Sequence, residues 1–291
     1  MDEKYFFFGF GQVGRYYINY LLKKKTKFSF NVSTTSSTKS KKLNNKNYLS
    51  LKFNGQKFDK KISKILKSTS YILISIPPAT NGDLVLRYFK KDLKNNNIKK
   101  IIYLSATNVY GDHKGKWVNE KSKCKPTSKQ GKNRLRAEKQ WTVFCKKNKL
   151  NLNILRIAGI YSRESNAIKR LKLGPKVFVR KKNHFFSRIR VEDIAQVIHK
   201  VFRNKSIKYE TFNVADDLPA SSEILNKYAA KILKIRNLKQ IDVKDLKGNM
   251  IKNFYKDSKK IKNSKIKKVL KVSLKYSTYK KGLRDLRYQI I

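Results

Sequence analysis

Tyr5-Phe6-Phe7-Phe8-Gly9-Phe10-Gly11-Gln12-Val13-Gly14 is the stretch on which the reading of this chain turns. Four consecutive aromatic residues with no polar interruption are the pattern of a short strand buried on both faces of a parallel sheet. Glycines follow at 9, 11 and 14, and Tyr16, Tyr17, Ile18, Tyr20, Leu21 and Leu22 then recur at helical spacing before a run of lysines. Strand, glycine turn and helix in that order make a cradle for a diphosphate. Gly9 serves the tight turn, Gly11 lets phosphate approach the bare backbone, and Gly14 lets helix and strand pack closely. Gln12 and Val13 add helix N-terminal amides, which favour anionic oxygens. Glycines fall at this spacing by chance in many chains, and the flanking strand and helix give this motif its weight. A bound dinucleotide, NADP(H) or NAD(H), is the expectation.

A second strand, Phe28–Ser33, runs into the polar stretch Thr34–Lys42. A site that prefers NAD places Asp or Glu here to accept from the ribose 2′-hydroxyl. This chain has Thr34, Thr35, Ser36 and Ser37, then Lys39, Lys41 and Lys42. Hydroxyls and ammonium groups tolerate a 2′-phosphate, so NADP is favoured over NAD; the competing reading is an ordinary lysine-rich surface. A weaker strand near Tyr48–Phe53 and a helix around Ile62–Leu66 follow. The strand Tyr71–Ile76 is stopped by Pro77-Pro78. Next come a helix over Leu84–Leu93, a strand over Lys100–Leu104, the loop Ser105–Asp112, a helix from Ser128 to Lys146 and the strand Leu152–Ile157. This alternation predicts an α/β protein with a Rossmann-type doubly wound parallel sheet. Beyond Ala158 the spacing is irregular, with a helix over Val191–Phe202, a strand over Thr211–Ala215 and helices near Ser222–Leu233 and Tyr279–Leu286. The expected organisation is a dinucleotide-binding domain over 1–158, to which 192–215 returns, and a smaller C-terminal substrate lobe over 159–191 and 216–291. The lysine-rich run Lys256–Lys271 reads as solvated surface.

The chain has 291 residues, with 71 Lys+Arg against 19 Asp+Glu and a formal net charge of +52. So basic a balance suggests polyanion binding. The lysines, however, are spread from Lys4 to Lys281, and neither a cluster of base-reading arginines nor an aromatic stacking platform accompanies them. Weak, salt-sensitive adhesion to polyanions is expected, and specific nucleic-acid recognition is not. Cys124 and Cys145 show no CxxC spacing and read as reduced thiols. His113, His184 and His199 are scattered without metal-ligand spacing, so no metal is expected. A first strand starting at Lys4 leaves no room for a signal peptide, and no apolar run reaches the ~18–20 residues of a membrane span, so a cytoplasmic protein is expected.

The loop Ser105–Asp112, with Val109-Tyr110-Gly111, resembles the post-strand loop of extended short-chain dehydrogenases/reductases, the NAD-dependent epimerase/dehydratase family. The likeness continues through Leu155-Arg156-Ile157-Ala158-Gly159-Ile160-Tyr161, Arg188–Ala195, Phe212–Pro219 and Tyr279–Leu283. It is nearest to an atypical subgroup with a GxGxxG turn and an Ile-Pro-Pro at 76 to 78. The resemblance implies an NAD(P)-dependent oxidoreductase or epimerase acting on a small carbonyl or sugar-nucleotide substrate, with Pro77 and Arg134 near the cofactor. It also implies a homodimer through the helices Leu84–Leu93 and Ser128–Lys146.

The family's hydride chemistry uses the Tyr and Lys of a YxxxK motif and a Ser or Thr on the preceding loop, so that a phenol exchanges a proton while hydride moves. Here those positions carry Gln130, Arg134 and Ala106. Gln130 exchanges no proton near neutral pH, and Ala106 has no hydroxyl. The candidate substitutes are Thr107, one residue from the lost hydroxyl, and Tyr110, a phenol in the same loop. Arg134 keeps a permanent positive charge suited to a cofactor ribose or phosphate. Arg156 and Asp193 read as a structural ion pair. Arg163 stands where the family usually has proline. Two functional readings remain open: an oxidoreductase or epimerase with a non-standard active site, and a catalytically inactive NAD(P)-binding sensor or scaffold.

Overall fold

The computed structural model describes residues 2–246, 248 and 255–290. The elements in chain order begin with β1 (Glu3–Phe8), α1 (Gln12–Lys23), β2 (Phe28–Thr34), β3 (Lys39–Leu43), β4 (Lys46–Lys52), α2 (Lys61–Leu66), β5 (Tyr71–Ile74), α3 (Leu84–Phe89) and β6 (Lys100–Ala106). They continue with β7 (Trp117–Val118), α4 (Lys129–Lys147), β8 (Leu152–Ile157), β9 (Gly159–Tyr161), α5 (Ala167–Leu173), β10 (Val177–Arg180), β11 (Arg188–Arg190), α6 (Val191–Arg203) and β12 (Glu210–Val214). The last are α7 (Ser222–Ile232), β13 (Lys239–Asp242), β14 (Lys260–Ile261), α8 (Ser264–Leu270) and α9 (Tyr279–Ile290).

Eight strands form the main sheet in the order β12-β8-β6-β5-β1-β2-β4-β3. The pairs β1–β2, β1–β5, β2–β4 and β5–β6 are parallel, and β3 turns back antiparallel on β4. The chain fills the β2–β4 side first and then crosses to β5 and β6, so the order reverses beside the carboxyl end of β1. That is the switch point where open α/β sheets bind ligands, and the glycine turn stands there. Lys39–Leu43, within and just past the polar stretch Thr34–Lys42, pair with β4, because two asparagines with positive φ, Asn44 and Asn45, close a tight hairpin.

The chain divides into two compact units of nearly equal size: residues 1–105, 133–156 and 195–212 in the first, and 106–132, 157–194 and 213–291 in the second. The segment 106–132 groups with the second unit.

The first unit's core follows from strand alternation. Phe6 and Phe8 point to one face, where they join Phe53, Ile72, Ile74, Phe89, Ile101 and Trp141. Tyr5 and Phe7 point to the other, where the Tyr5 ring meets Tyr17, Phe28, Tyr71 and Phe202 at centroid distances of 5.9, 6.1, 5.1 and 5.7 Å. Lys100, 2 % exposed at the start of β6, donates from Nζ to the carbonyls of Val201 (3.0 Å), Ile207 (3.2 Å) and Asn204, capping the chain end of α6. α3 is shorter than the sequence suggested: past Phe89 the chain goes on in turns, though the Leu93 amide still reaches the Phe89 carbonyl at 3.0 Å.

The second unit has its own core, in which Tyr161, Ile168, Leu171, Ala229, Tyr279 and Leu283 pack together. The run Lys256–Lys271 is not the solvated surface expected of it. Ser258, Lys259, Ile261, Ile266 and Leu270 are buried, because apolar residues at strand and helix spacing lie hidden among the lysines of β14 and α8. No helix among the described residues is long and apolar enough to cross a membrane.

Candidate active site

The glycine turn lies in the first unit, and its three glycines meet different surroundings. Gly9 has φ +83°, and a Cβ there would sit 2.7 Å from the Ser75 hydroxyl, so both backbone angle and space require glycine. Its amide donates to Ser33 Oγ at 2.9 Å, which ties the turn to the end of β2. A Cβ on Gly14 would meet the Phe10 ring at 2.9 Å, a packing constraint. Gly11 differs: nothing lies within 4 Å of the place a Cβ would take, and its φ of −80° suits any residue. Its bare Cα therefore faces open space where α1 begins, and it brings no capping side chain to that helix end. A diphosphate fits there, since first-turn amides and the positive end of the helix dipole both face that space.

Thr35 and Ser36 are exposed just beyond β2, and the Ser36 amide donates to Thr34 Oγ1 at 3.3 Å. Pro77 is exposed beyond β5. Arg134, half-buried on α4, donates from Nη1 to the Leu104 carbonyl at 2.9 Å, which fixes the guanidinium against the end of β6. Asp59 is a carboxylate near the β2–β4 edge, and its oxygens accept from Thr38 Oγ1 and the Lys61 amide, both at 2.8 Å.

The two candidate proton-transfer residues of the loop after β6, Thr107 and Tyr110, separate. Thr107 lines a cavity of about 360 Å³ in the second unit together with Asn108, Ser128, Gln130, Asp257 and Lys259. Tyr110 does not line it. It is fully buried, and its hydroxyl donates to Asn213 Oδ1 at 2.7 Å. Ser105, the hydroxyl residue preceding Ala106, is held as well, donating to Glu138 Oε1 at 2.5 Å. Gln130 is exposed at the cavity wall, one turn ahead of Arg134 on the same helix. The expected pairing of Arg156 with Asp193 is replaced by two other arrangements. Arg156 Nη2 meets Glu138 Oε2 at 2.7 Å, with both side chains under 10 % exposed. The Asp193 carboxylate accepts from the amides of Lys275 (2.7 Å) and Tyr276 (3.0 Å), and burial pushes its pKa up to about 6.

Sequence reasoning missed two cavity residues. Lys259 and Asp257 stand on the segment leading into β14, with Nζ 3.5 Å from Oδ2 and side chains 11 % and 12 % exposed. Thr127 Oγ1 donates to the other Asp257 oxygen at 2.7 Å. Burial draws the Lys259 ammonium below the ordinary lysine range, against the pull of Asp257 and Asp112. Nothing in the sequence separates Lys259 from Lys256, Lys260 or Lys262; only packing does. A larger cavity of about 780 Å³ in the same unit is walled by Tyr161, Arg170, Phe186, Arg188, Asn226 and Tyr279 among others. Arg188 is 4 % exposed, lies 3.5 Å from the Phe186 ring centroid and donates to the carbonyls of Phe186 and Ala220. The described residues hold no group of three or more His, Cys, Asp or Glu able to bind a metal ion.

The sheet order, the switch point and the open glycine cradle define a Rossmann-type α/β protein. The model of the NAD dependent epimerase/dehydratase family matches residues 82–215. Among solved structures, a functionally unknown conserved protein from Silicibacter pomeroyi DSS is similar at 27% identity, TM-score 0.84, with 99% of each chain covered. The UDP-glucuronic acid 4-epimerase from Bacillus cereus, solved with UDP-glucuronic acid and NAD, shares the fold at 17% identity and TM-score 0.78, covering 99% of this chain and 100% of that one. The UDP-N-acetylglucosamine 4-epimerase from Bacillus cereus does so at 15% identity and TM-score 0.78, over 100% of this chain and 96% of that one. No curated protein matches.

Proposed function

We propose that this chain is an NADP(H)-binding oxidoreductase or epimerase acting on a carbonyl or sugar-nucleotide substrate through a non-standard active site. The observation that carries the reading is the open space at Gly11, a cradle that any side chain would fill, set at the switch point of the sheet. Gly9, Gly11, Gln12, Val13 and Gly14 would hold the diphosphate, Thr35 and Ser36 the adenosine ribose, and Pro77 and Arg134 further parts of the cofactor. The hydroxyls that follow β2 favour NADP over NAD, because a 2′-phosphate meets no carboxylate at Thr34, Thr35 or Ser36. When bound, the nicotinamide would supply the hydride acceptor or donor. The chain's own part is to orient substrate, exclude water and move a proton.

The 780 Å³ cavity has the size of a small-ligand site. Lys169, Arg170 and Arg188 on its wall, against Glu164, give it an anion preference that suits a nucleoside diphosphate sugar. The structural neighbour solved with UDP-glucuronic acid and NAD supports the same substrate class. Pairing of two copies through α3 and α4 completes the reading.

Thermal unfolding with NADPH, NADH and their oxidised forms tests it. A ligand at about 100 times its Kd stabilises by about 2.7 kcal/mol, and the largest upward shift is expected for the phosphorylated pair. No shift with any of the four removes the reading; a shift without turnover leaves a cofactor-holding sensor or scaffold.

A further inference from the structure

The chain lacks the phenol that moves the proton in the family it resembles, yet the wall of the smaller cavity brings another proton carrier to the same place. Gln130 and Thr107 mark where the lost tyrosine and hydroxyl would stand, and both line the 360 Å³ cavity. Lys259 lines it too, buried to 8 % exposure, and is the amine on that wall. Its position is built rather than incidental. Asp257 holds the amine at 3.5 Å, Thr127 holds Asp257, and the Ser258 amide between them donates to Asp112 Oδ1 at 2.8 Å. Ser258 Oγ donates to the Asn183 carbonyl (2.9 Å) and accepts from the Phe185 amide (3.0 Å), which clamps the segment.

We propose that Lys259 is the proton-transfer group of this site, with Asp257 as its positioning residue and Thr107 as a hydrogen-bond partner of the substrate oxygen. The inference rests on the functional reading above. In the oxidising direction the substrate O–H gives its proton to the neutral Lys259 amine. The adjacent C–H bond would break as the C=O bond forms, its electron pair going as hydride to the nicotinamide dinucleotide when that is bound. In reduction the ammonium returns the proton to the carbonyl oxygen. The charged groups facing Lys259 are Asp257 and Asp112, while Lys181 faces Asp112 from the neighbouring strand end.

The experiment follows single-turnover reduction of NADP⁺ and NAD⁺ at 340 nm with UDP-glucose and UDP-glucuronic acid, over a range of pH. In parallel, a pulse of acetic anhydride at each pH, read by peptide mapping, reports the titration of Lys259 directly. The Lys259→Met and Lys259→Arg variants should each lose at least about 100-fold in rate while keeping the thermal shift with NADPH. Arginine keeps the charge but surrenders no proton. In the parent, the rate should rise through the same pH at which Lys259 becomes acetylatable. Asp257→Asn should move both transitions to lower pH together, a coupling that a merely structural lysine would not produce. Parental rates in Lys259→Arg, or a pH profile that Asp257→Asn leaves in place, overturn the proposal while the parent's turnover keeps the functional reading standing. If Lys259→Met fails to fold, the Asp257→Asn comparison decides. A parent that reduces neither dinucleotide overturns both.

Discussion

Two glycines of one turn carry opposite expectations. Gly9 is dictated from inside the protein, by a left-handed backbone angle and by the Ser75 hydroxyl beside it, whereas Gly11 is constrained by nothing the chain itself supplies. Gly9→Ala should therefore cost about 1–3 kcal/mol of stability, the range for a residue forced into that region with crowding. Gly11→Val should leave unfolding in urea unchanged and abolish the thermal shift with NADPH. A Gly11→Val protein that still binds the dinucleotide as its parent does would remove the cradle from the argument. The motif was legible from the sequence because the aromatic strand and helical spacing around it are local signals. Which of its glycines serves the fold and which leaves room for a ligand was not. That distinction depends on Ser75 and Phe10, side chains brought up by packing.

Among the elements, the buried join of β6, α4 and β8 is the most exacting. Glu138 on α4 accepts from Ser105 at the end of β6 and from Arg156 on β8, Nε at 3.1 Å and Nη2 at 2.7 Å. Arg156→Met would leave a carboxylate buried without its cation, at a cost of about 3–5 kcal/mol. Adding Glu138→Leu should restore part of that loss, and urea unfolding of the parent, single and double variants checks it. A single variant as stable as its parent would show that the carboxylate finds another counter-charge. The spacing of Arg156 within its strand was visible beforehand, but its partner was misread as Asp193. A charge on one strand does not announce which distant helix will face it. The β3 hairpin went unread and the buried Lys256–Lys271 run was misread for a related reason: lysine-rich stretches give no periodic contrast, so pairing and burial had to come from neighbours.

For the molecule as a whole, the charge of +52 sets the terms of association. The hollow between α3 and α4, about 650 Å³, is lined by Arg87, Lys90, Lys94, Lys139 and Lys147 around Val143 and Phe144. An isologous dimer through this face would set like charges against like, since both copies present the same patch. Dimer formation there should therefore strengthen with salt, from monomer at about 20 mM to dimer near 0.5 M, as screening shortens the range of repulsion. Sedimentation velocity at the two ionic strengths checks it, and a salt-independent dimer would place the interface elsewhere. Adhesion to polyanions should move the opposite way and fade with salt.

The sequence by itself determined most of the sheet's strand and helix succession and the glycine turn, because each is written in contiguous residues through short-range sterics and periodicity. The tertiary structure alone decided that Tyr110 belongs to the core, that Glu138 answers Arg156, and that one lysine among many, Lys259, is buried beside Asp257 in a cavity. Burial and partnership arise from residues far apart in the chain, and the water they exclude is what gives a particular amine or carboxylate its chemistry.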